Sequence, residues 1–203
     1  DWDAAWFHGY ANLSLLLGII ECSRIGVPVF FRGESNLIYS GGGRLSTILI
    51  KWIIRRAHAL LWVGSLNKDY YEAYGADPEQ LFFCPYTVDN EHFQSEIMKA
   101  KGRRKELIEA LDIDRSLPVI VYAGKLMRRK NAHILLKAFL ESCELNNGAI
   151  GNLIFVGDGE LRNEIELKIS QTKYKRYIRI AGFQNQSELP SYYDLADLFV
   201  IPS

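Results

Sequence analysis

A cluster of four cations, spread over residues 125–130, follows a β-branched run in the second half of the chain. Lys125 and Lys130 bound the cluster, and two arginines lie between them. The run at 119–123 predicts a buried strand, and Ala132 to Glu144 has the apolar spacing of a helix. Backbone N–H groups and the dipole at a helix start favour an anion, and lysine supplies full positive charge. The pattern is typical of a phosphate-binding loop, although a solvated basic turn would have the same sequence.

A glycine pair marks the next predicted strand end. Gly157-Asp158-Gly159 follows the apolar run 152–156 and precedes a predicted helix at Leu161–Ser170. Glycines at this point let the backbone come close to a ligand, and the helix start offers free N–H groups. A tight strand-to-helix turn with Asp158 as the helix cap is the alternative interpretation.

Two strand ends in the first half of the chain also carry polar groups. His8 follows the short apolar run 4–7, and Arg32-Gly33-Glu34 follows the predicted strand Val27–Phe31. In open α/β sheets, functional groups lie beyond the carboxyl ends of the strands. Glu34 could hydrogen-bond a hydroxyl or stabilise a developing positive charge, or it could form a loop ion pair with Arg32. His8 could line a site or cap its strand.

The elements that must position these groups alternate between strand and helix, with short loops. This order predicts an α/β protein with two Rossmann-like parallel sheets. We place the first domain at residues 1–95 and the second at residues 118–203. The charged stretch 96–117 between them loses the strand rhythm and is expected to be a linker with one short helix near 107–111. The loop 36–43 should be flexible at Gly41 to Gly43.

One predicted helix, Arg44–Ala59, is strongly amphipathic. Its apolar positions are Leu45, Ile48, Leu49, Trp52, Ile53 and Ala57. Such a helix usually covers a sheet with its apolar face, which is the interpretation we favour. The basic residues of the same helix leave a peripheral membrane contact open.

Composition excludes several classes of protein. The 203 residues are 48% hydrophobic and contain 24 Lys+Arg against 24 Asp+Glu, a balance that argues against nucleic acid as the main partner. No apolar run is long enough to span a membrane. Three cysteines without metal-type spacing indicate reduced thiols in a cytoplasmic protein. Because the chain opens on Asp1 and closes directly after a strand-like run, we expect an internal piece of a longer protein.

Several short motifs, in order, resemble the family 4 glycosyltransferases of the GT-B fold. The first is the run from Val121 to Asn131, which contains Gly124-Lys125-Leu126 where the family has Gly-Arg-Leu. The others are Gly157-Asp158-Gly159, Gly182-Phe183, the Tyr-x-x-Ala-Asp pattern at 193–197 and Pro202-Ser203. Pro85 to Phe93 is similar to the junction motif of the family, so the resemblance covers almost the whole chain.

The resemblance implies a transferase that moves a sugar from a nucleotide-sugar donor to a saccharide or lipid-linked acceptor in cell-surface polysaccharide synthesis. The anomeric configuration would be retained, and no metal and no cofactor would be needed, because the nucleotide-sugar is a substrate. The location would be cytoplasmic, at the inner face of the membrane where the acceptor is lipid-linked. A sugar-nucleotide epimerase on the same fold and a catalytically decayed nucleotide-binding protein are the alternatives.

The resemblance also assigns roles to single residues. Lys125 and Lys130 would face the diphosphate and stabilise charge on the leaving group, and lysine at 125 in place of arginine keeps the charge but loses the bidentate fork. The two arginines between them are expected to be solvated. The other donor-side residues would be Gly157, Gly159, Gly182, Phe183 and Gln184. The acceptor side would hold His8, Arg32 and Glu34, with Glu34 as a candidate catalytic carboxylate.

Overall fold

The computed structural model describes residues 2–38, 43–99 and 102–203. The chain forms two compact units, Asp1–Val88 and Asp89–Ser203, each built on a four-stranded parallel sheet. The two parallel sheets confirm the predicted α/β class. The division after Val88 lies earlier than the boundary predicted at residue 95. Most of the predicted Gly41 to Gly43 loop lies outside the described residues.

Unit 1 consists of four strands joined by helices. Its elements are β1 (Ala5–His8), α1 (Leu13–Ile25), β2 (Val29–Arg32), α2 (Arg44–Arg56), β3 (Ala59–Trp62), α3 (Ser65–Ala73), a 3-10 turn at Pro78–Gln80 and β4 (Leu81–Phe83). The strands follow one another across the sheet in the order β1-β2-β3-β4. The carboxyl ends of all four strands therefore share one edge, where the residues after β2 and β4 contact each other.

The three helices of unit 1 pack on the same face of its sheet. One core cluster joins Ile19 of α1, Ile53 of α2 and Tyr70 of α3 to strand residues such as Phe31 and Leu60. On the opposite face, the strands expose Trp6, Phe30 and Phe82. Side chains alternate between the two faces of a strand, so this division follows directly from the sequence of β1 and β2.

Helix α2 buries only part of the predicted face: Ile53 and Ala57 of that face are buried, and Trp52 packs against the core. Ile50, Ile53 and Ile54 are buried against the sheet, and Ala57 follows them at the end of the helix. By contrast, Leu45, Ile48 and Leu49 of the predicted face are exposed. Periodicity identified an amphipathic helix, but α2 carries apolar residues on both sides, and packing selected the isoleucine-rich side.

Unit 2 begins with two helices, of which the first starts in the predicted first domain and the second lies in the predicted linker. They are α4 (Asn90–Lys99) and α5 (Arg103–Ala110), followed by β5 (Val119–Ala123), a 3-10 turn at Arg128–Lys130, α6 (Ala132–Leu145), β6 (Asn152–Val156), α7 (Arg162–Gln171), a 3-10 turn at Lys175–Tyr177, β7 (Ile178–Gly182), α8 (Leu189–Leu195) and β8 (Leu198–Phe199).

Contacts with α8 explain why α4 and α5 belong to unit 2 rather than to a free linker. Phe93 of α4 packs against Tyr193, with ring centroids 6.2 Å apart. Arg103 of α5 pairs with Glu188 at the start of α8. Arg104 donates to the carbonyl of Asp194. The charged residues that suggested a linker in the sequence therefore anchor these helices to α8.

The unit 2 sheet has the strand order β7-β6-β5-β8 and is covered on both faces. Alternate residues of β5 supply the two cores: Tyr122 faces α6 and α7, whereas Val121 lies in the cluster with α5 and α8. The chain moves from β5 through β6 to β7 on one side, and then crosses back to add β8 on the other side of β5. The order therefore reverses between β5 and β8, which makes this position a topological switch point.

Candidate functional site

The cation cluster follows β5, directly at this switch point. Crevices at switch points, beyond the carboxyl ends of the strands, are where open α/β sheets bind ligands. The backbone enters the crevice through Gly124, whose N–H donates to the carbonyl of Val156 over 2.9 Å. The Tyr122 hydroxyl donates to the carbonyl of Lys125 over 2.9 Å and fixes the next turn. The fold thus places the predicted phosphate-binding loop where the sheet offers a binding crevice.

Two hydrogen bonds join the cation loop to the segment after β8. The Lys130 ammonium lies 3.4 Å from the Ser203 hydroxyl. The Asn131 amide donates to the carbonyl of Pro202 over 2.9 Å. Sequence analysis treated Pro202-Ser203 only as part of a motif, and its contact with Lys130 became visible only once the strand order was known. We call these residues, with Lys125, the switch-point cluster.

Asn131 makes the turn between the cation loop and α6. Its φ of 54° and ψ of 24° lie in the left-handed region. Asparagine tolerates this conformation better than most residues that carry a Cβ. The carbonyl of Asn131 accepts the N–H groups of Ile134 and Leu135 and begins α6.

The glycine pair serves a packing role that the sequence did not reveal. A Cβ at Gly157 would collide with the carbonyl of Gly124, and a Cβ at Gly159 would lie 2.5 Å from the carbonyl of Leu126. The Leu126 N–H donates to the carbonyl of Asp158 over 3.0 Å, so the two loops run side by side. The glycines therefore allow the loop after β6 to lie against the loop after β5. Their approach to a nucleotide remains a prediction.

Asp158 is not the cap of α7. One carboxylate oxygen accepts the Gly159 N–H at 2.7 Å, and the other pairs with Arg162 at 2.9 Å. The Gly159 hydrogen bond, and after it the Arg162 guanidinium, lowers the pKa of the Asp158 carboxyl below its ordinary value of 3.8. The carboxylate therefore holds its own loop and the first turn of α7 together.

Charge pairing distinguishes Arg128 from the other three cations of the loop. Arg128 lies 3.6 Å from the carboxylate of Glu164, and its N–H donates to Glu160. Within the described residues, Lys125, Arg129 and Lys130 have no carboxylate at ion-pair distance. Lys125 and Arg129 are exposed and Lys130 is half-buried. The two lysines therefore have the charge and position that a phosphate contact requires, whereas Arg128 is already partly neutralised.

The third predicted donor segment follows β7. Gly182 has a φ of 73°, and its carbonyl accepts the Gly157 N–H at 2.8 Å, so the loops after β6 and β7 are neighbours. Phe183 is 74% exposed and does not belong to the core. The Gln184 amide donates to the carbonyl of Ala181 over 2.8 Å. An exposed aromatic ring at a strand end is free to stack on a flat ligand, although its contact with a base remains a prediction.

In unit 1, a tyrosine joins two charged residues at the carboxyl end of β2, Arg32 in the strand and Glu34 after it. The Arg32 guanidinium lies over the ring of Tyr86, 4.5 Å from its centroid. The Tyr86 hydroxyl donates to the carboxylate of Glu34, and this hydrogen bond raises the pKa of Tyr86. The alternative of a direct Arg32–Glu34 ion pair is therefore wrong, because Tyr86 takes both contacts. We call Arg32, Glu34 and Tyr86 the Glu34 cluster.

Helix α3 fixes the loop that carries Glu34. The Gly33 N–H donates to the hydroxyl of Tyr71 over 2.8 Å. The Asn67 amide donates to the carbonyl of Ser35 over 2.9 Å, while its oxygen accepts the Val63 N–H at 3.2 Å. Tyr71 is 1% exposed and Asn67 is 4% exposed. Two buried side chains thus hold the backbone on either side of Glu34, which itself stays exposed.

The remaining predicted residues lie at the same edge of unit 1. His8 pairs in register with Arg32 across β1 and β2, and its ring stacks on Trp6 with centroids 5.6 Å apart. The Arg32 guanidinium donates to the carbonyl of Cys84 over 3.2 Å, while its Nε is buried without a partner in the described structure. Sequence analysis missed Tyr86, Tyr71 and Asn67, since nothing in the local sequence links them to Glu34.

Among the described residues, no group of His, Cys, Asp or Glu has the arrangement of a metal site. In the same part of the chain, no helix has the length and apolarity needed to cross a membrane. The three cysteines, Cys22, Cys84 and Cys143, are free thiols.

Comparison with known proteins adds independent information. Residues 103–203 match the family described as glycosyl transferases group 1. The chain is 27% identical, over 97% of its length, to the UDP-Gal:alpha-D-GlcNAc-diphosphoundecaprenol alpha-1,3-galactosyltransferase of Escherichia coli. It spans 51% of that relative, so about half of the curated relative has a counterpart here.

Solved structures share the fold at low sequence identity. HepE of Anabaena, crystallised with UDP, matches 98% of the chain with a TM-score of 0.71 and 18% identity, over 53% of its own length. The UDP-forming alpha,alpha-trehalose-phosphate synthase of Burkholderia vietnamiensis matches 98% of the chain with a TM-score of 0.75 and 12% identity, also over 53% of its own length.

Proposed function

We propose that the protein transfers a sugar from a nucleotide-sugar donor to a saccharide or lipid-linked acceptor, because residues 103–203 match the group 1 glycosyl transferases. The reaction retains the configuration of the anomeric carbon and serves cell-surface polysaccharide synthesis. It takes place in the cytoplasm, at the inner face of the membrane, and uses neither a metal nor a cofactor.

The placement of Lys125 and Lys130 at the switch point of the unit 2 sheet carries this proposal. When the sugar departs, negative charge grows on the diphosphate of the donor. Cations that are fixed in place before the reaction stabilise such charge more strongly than mobile water does. Lys130 is held beside the loop after β8 by its contact with Ser203, and neither lysine has a carboxylate to neutralise it among the described residues.

The Escherichia coli relative supports a narrower choice of substrates. Its name gives a UDP-activated sugar as the donor and a diphosphate-linked lipid saccharide as the acceptor. We propose the same classes for this protein, with UDP as the nucleotide. The exposed ring of Phe183, beside the loop after β6, supplies a flat surface on which the uracil can stack.

Glu34 is the proposed acceptor-side carboxylate. It is exposed, ionisable and held by Tyr86, while its backbone is fixed by Tyr71 and Asn67. A carboxylate held in this way can accept a hydrogen bond from a hydroxyl of the acceptor or of the transferred sugar. Arg32, at the same strand end, offers a positive charge to an acceptor phosphate, and His8 borders it.

Replacing the two lysines in the full-length protein tests the donor site. Lys130→Ala and Lys125→Ala should each weaken UDP binding by about 10- to 100-fold, the cost of one charge-assisted hydrogen bond. Lys137→Ala is the matched control, because this α6 lysine pairs with Glu141 and lies outside the switch-point cluster. Unchanged UDP affinity and unchanged transfer rate in Lys130→Ala would refute the diphosphate role.

Replacing the carboxylate tests the acceptor side separately. Glu34→Gln should lower the transfer rate by about 100-fold or more while UDP affinity stays the same, since general acid–base groups contribute on this scale. Glu21→Gln, which removes a carboxylate from the exposed end of α1, serves as the control. Full transfer activity in Glu34→Gln would remove Glu34 from the mechanism.

A further inference from the structure

The outward side of α2 presents large apolar residues to solvent. Leu45 is 84% exposed, Ile48 is 64% exposed and Leu49 is 37% exposed. They recur at the spacing of one helical face, opposite the buried Ile50, Ile53 and Ile54. Trp52 lies on the same stripe, but it is half-buried and packs against the unit 1 core. Helix α2 therefore has two apolar sides, of which the sheet uses only one.

The same outward side carries four cations and no carboxylate. Arg44, Lys51, Arg55 and Arg56 are all exposed, and α2 contains neither Asp nor Glu. Within the described residues, none of the four lies at ion-pair distance from a carboxylate.

In the other described helices, cations form ion pairs with carboxylates. Every other described helix that contains Lys or Arg pairs at least one of them with a carboxylate. Arg24 with Glu21 on α1 and Lys68 with Glu72 on α3 are examples from the same unit. Among the described helices that contain Lys or Arg, α2 is therefore the one in which every cation lacks a carboxylate partner.

Arg56 stacks on Trp52 at the edge of this side, where Trp52 meets the unit 1 core. The Arg56 guanidinium lies over the Trp52 indole, 4.6 Å from its centroid. Aromatic rings and the long stems of basic residues have this arrangement where a protein meets the head groups of a bilayer, with the apolar parts inward and the charges outward.

We propose that the outward side of α2 binds the surface of a membrane that contains anionic lipids. Leu45, Ile48 and Leu49 enter the head-group region, and the four cations contact lipid phosphates around them. Nucleic acid would leave the apolar residues unused. A symmetric contact with a second copy would bring two sets of four uncompensated cations together, which like-charge repulsion opposes. This binding does not depend on the proposed catalytic activity.

Vesicle binding by the intact chain tests the proposal. Sedimentation should show binding to vesicles of equal parts phosphatidylcholine and phosphatidylglycerol, and much weaker binding to phosphatidylcholine alone. The double variant Arg44→Gln with Lys51→Gln should bind about 30-fold more weakly, because each cation near an anionic surface contributes about fivefold. Leu45→Ser with Ile48→Ser should weaken binding at least about tenfold through loss of buried apolar area.

Matched variants in unit 2 separate this surface from general charge and apolarity. Lys105→Gln with Lys175→Gln removes the same charge from exposed positions, and Leu145→Ser with Leu167→Ser removes residues that are 83% and 59% exposed. Both control variants should bind vesicles like the parent chain. Three results would overturn the proposal: no binding to the anionic vesicles, equal losses in α2 and control variants, or a dimer in size-exclusion chromatography that Leu45→Ser with Ile48→Ser converts to a monomer.

Discussion

Asp197 and Val119 form two hydrogen bonds with each other across the unit 2 sheet, and both use backbone groups of Val119. The Val119 N–H donates to the Asp197 carboxylate over 2.8 Å, and the Asp197 N–H donates to the Val119 carbonyl over 2.9 Å. Asp197 is the acidic residue of the Tyr-x-x-Ala-Asp motif. Its side chain thus fixes the start of β5, the strand that delivers the cation loop, and pairs it with the start of β8. The motif therefore holds the switch point in place by fixing β8 beside β5.

Asp197→Ala should destabilise unit 2 by about 1–3 kcal/mol, because the Val119 N–H loses a charged acceptor. Urea unfolding followed by circular dichroism measures the change. Asp194→Ala is the control from the same motif, since Arg104 contacts the carbonyl of Asp194 and not its side chain. Equal stability of the Asp197→Ala variant and the parent chain would show that this hydrogen bond contributes little.

Gly157→Ala should destabilise unit 2 by about 3 kcal/mol or more. The φ of 140° is strained for any residue with a Cβ, and the added methyl would collide with the Gly124 carbonyl. Gly148→Ala is the matched control, because its Cβ would meet only an ordinary contact at 3.9 Å. Thermal unfolding of both variants measures the effect, and a Gly157→Ala protein as stable as Gly148→Ala would disprove the packing role.

The sequence predicts these elements well where one local pattern decides the outcome. Strand β5, its glycine and the following cations occupy the predicted order, because a β-branched run ending in glycine has few alternatives. Helix α2 shows the limit of this reasoning. Both of its sides are apolar, so the helical period alone does not determine whether Leu45 or Ile50 faces the sheet.

Contacts between distant segments could not be predicted from the sequence, for a different reason. Tyr86 reaches Glu34 from 52 residues away, and Asn131 reaches Pro202 from 71 residues away. Only the strand order brings these pairs together, and local patterns do not contain it. The glycines at 157 and 159 illustrate the same point, because the atoms that require them belong to the loop after β5.

Tyr71→Phe tests whether transfer depends on the position of the Glu34 loop, because this variant leaves the Glu34 carboxylate itself unchanged. Loss of the hydroxyl leaves the Gly33 N–H without its buried partner and should cost about 1 kcal/mol of unfolding free energy. We expect a lower kcat for transfer and an unchanged affinity for UDP, because the donor residues lie in the other unit.

Ile53→Val is the control for that experiment. Ile53 is equally buried in the same core but lies on α2, and loss of one methyl group should cost about 1 kcal/mol. This variant should keep the parent kcat. If both variants lose kcat to the same extent, the effect comes from general loosening of unit 1 and not from the loop that holds Glu34.

The Asp158 carboxylate should make unit 2 sensitive to acid. Its pKa is lowered in the folded chain by the Gly159 N–H and by Arg162, so the folded state binds this proton less readily than the unfolded state does. The stabilisation is therefore fully present above the ordinary value of 3.8 and is lost as the pH falls through the lower folded pKa.

Consequently, the difference in unfolding free energy between the parent chain and Asp158→Asn should shrink below pH 3.8. Arg162→Gln should reduce this pH dependence without abolishing it, because the Gly159 hydrogen bond is the larger cause. Urea unfolding over a pH series measures both, and a difference between parent and Asp158→Asn that does not change with pH would contradict the prediction.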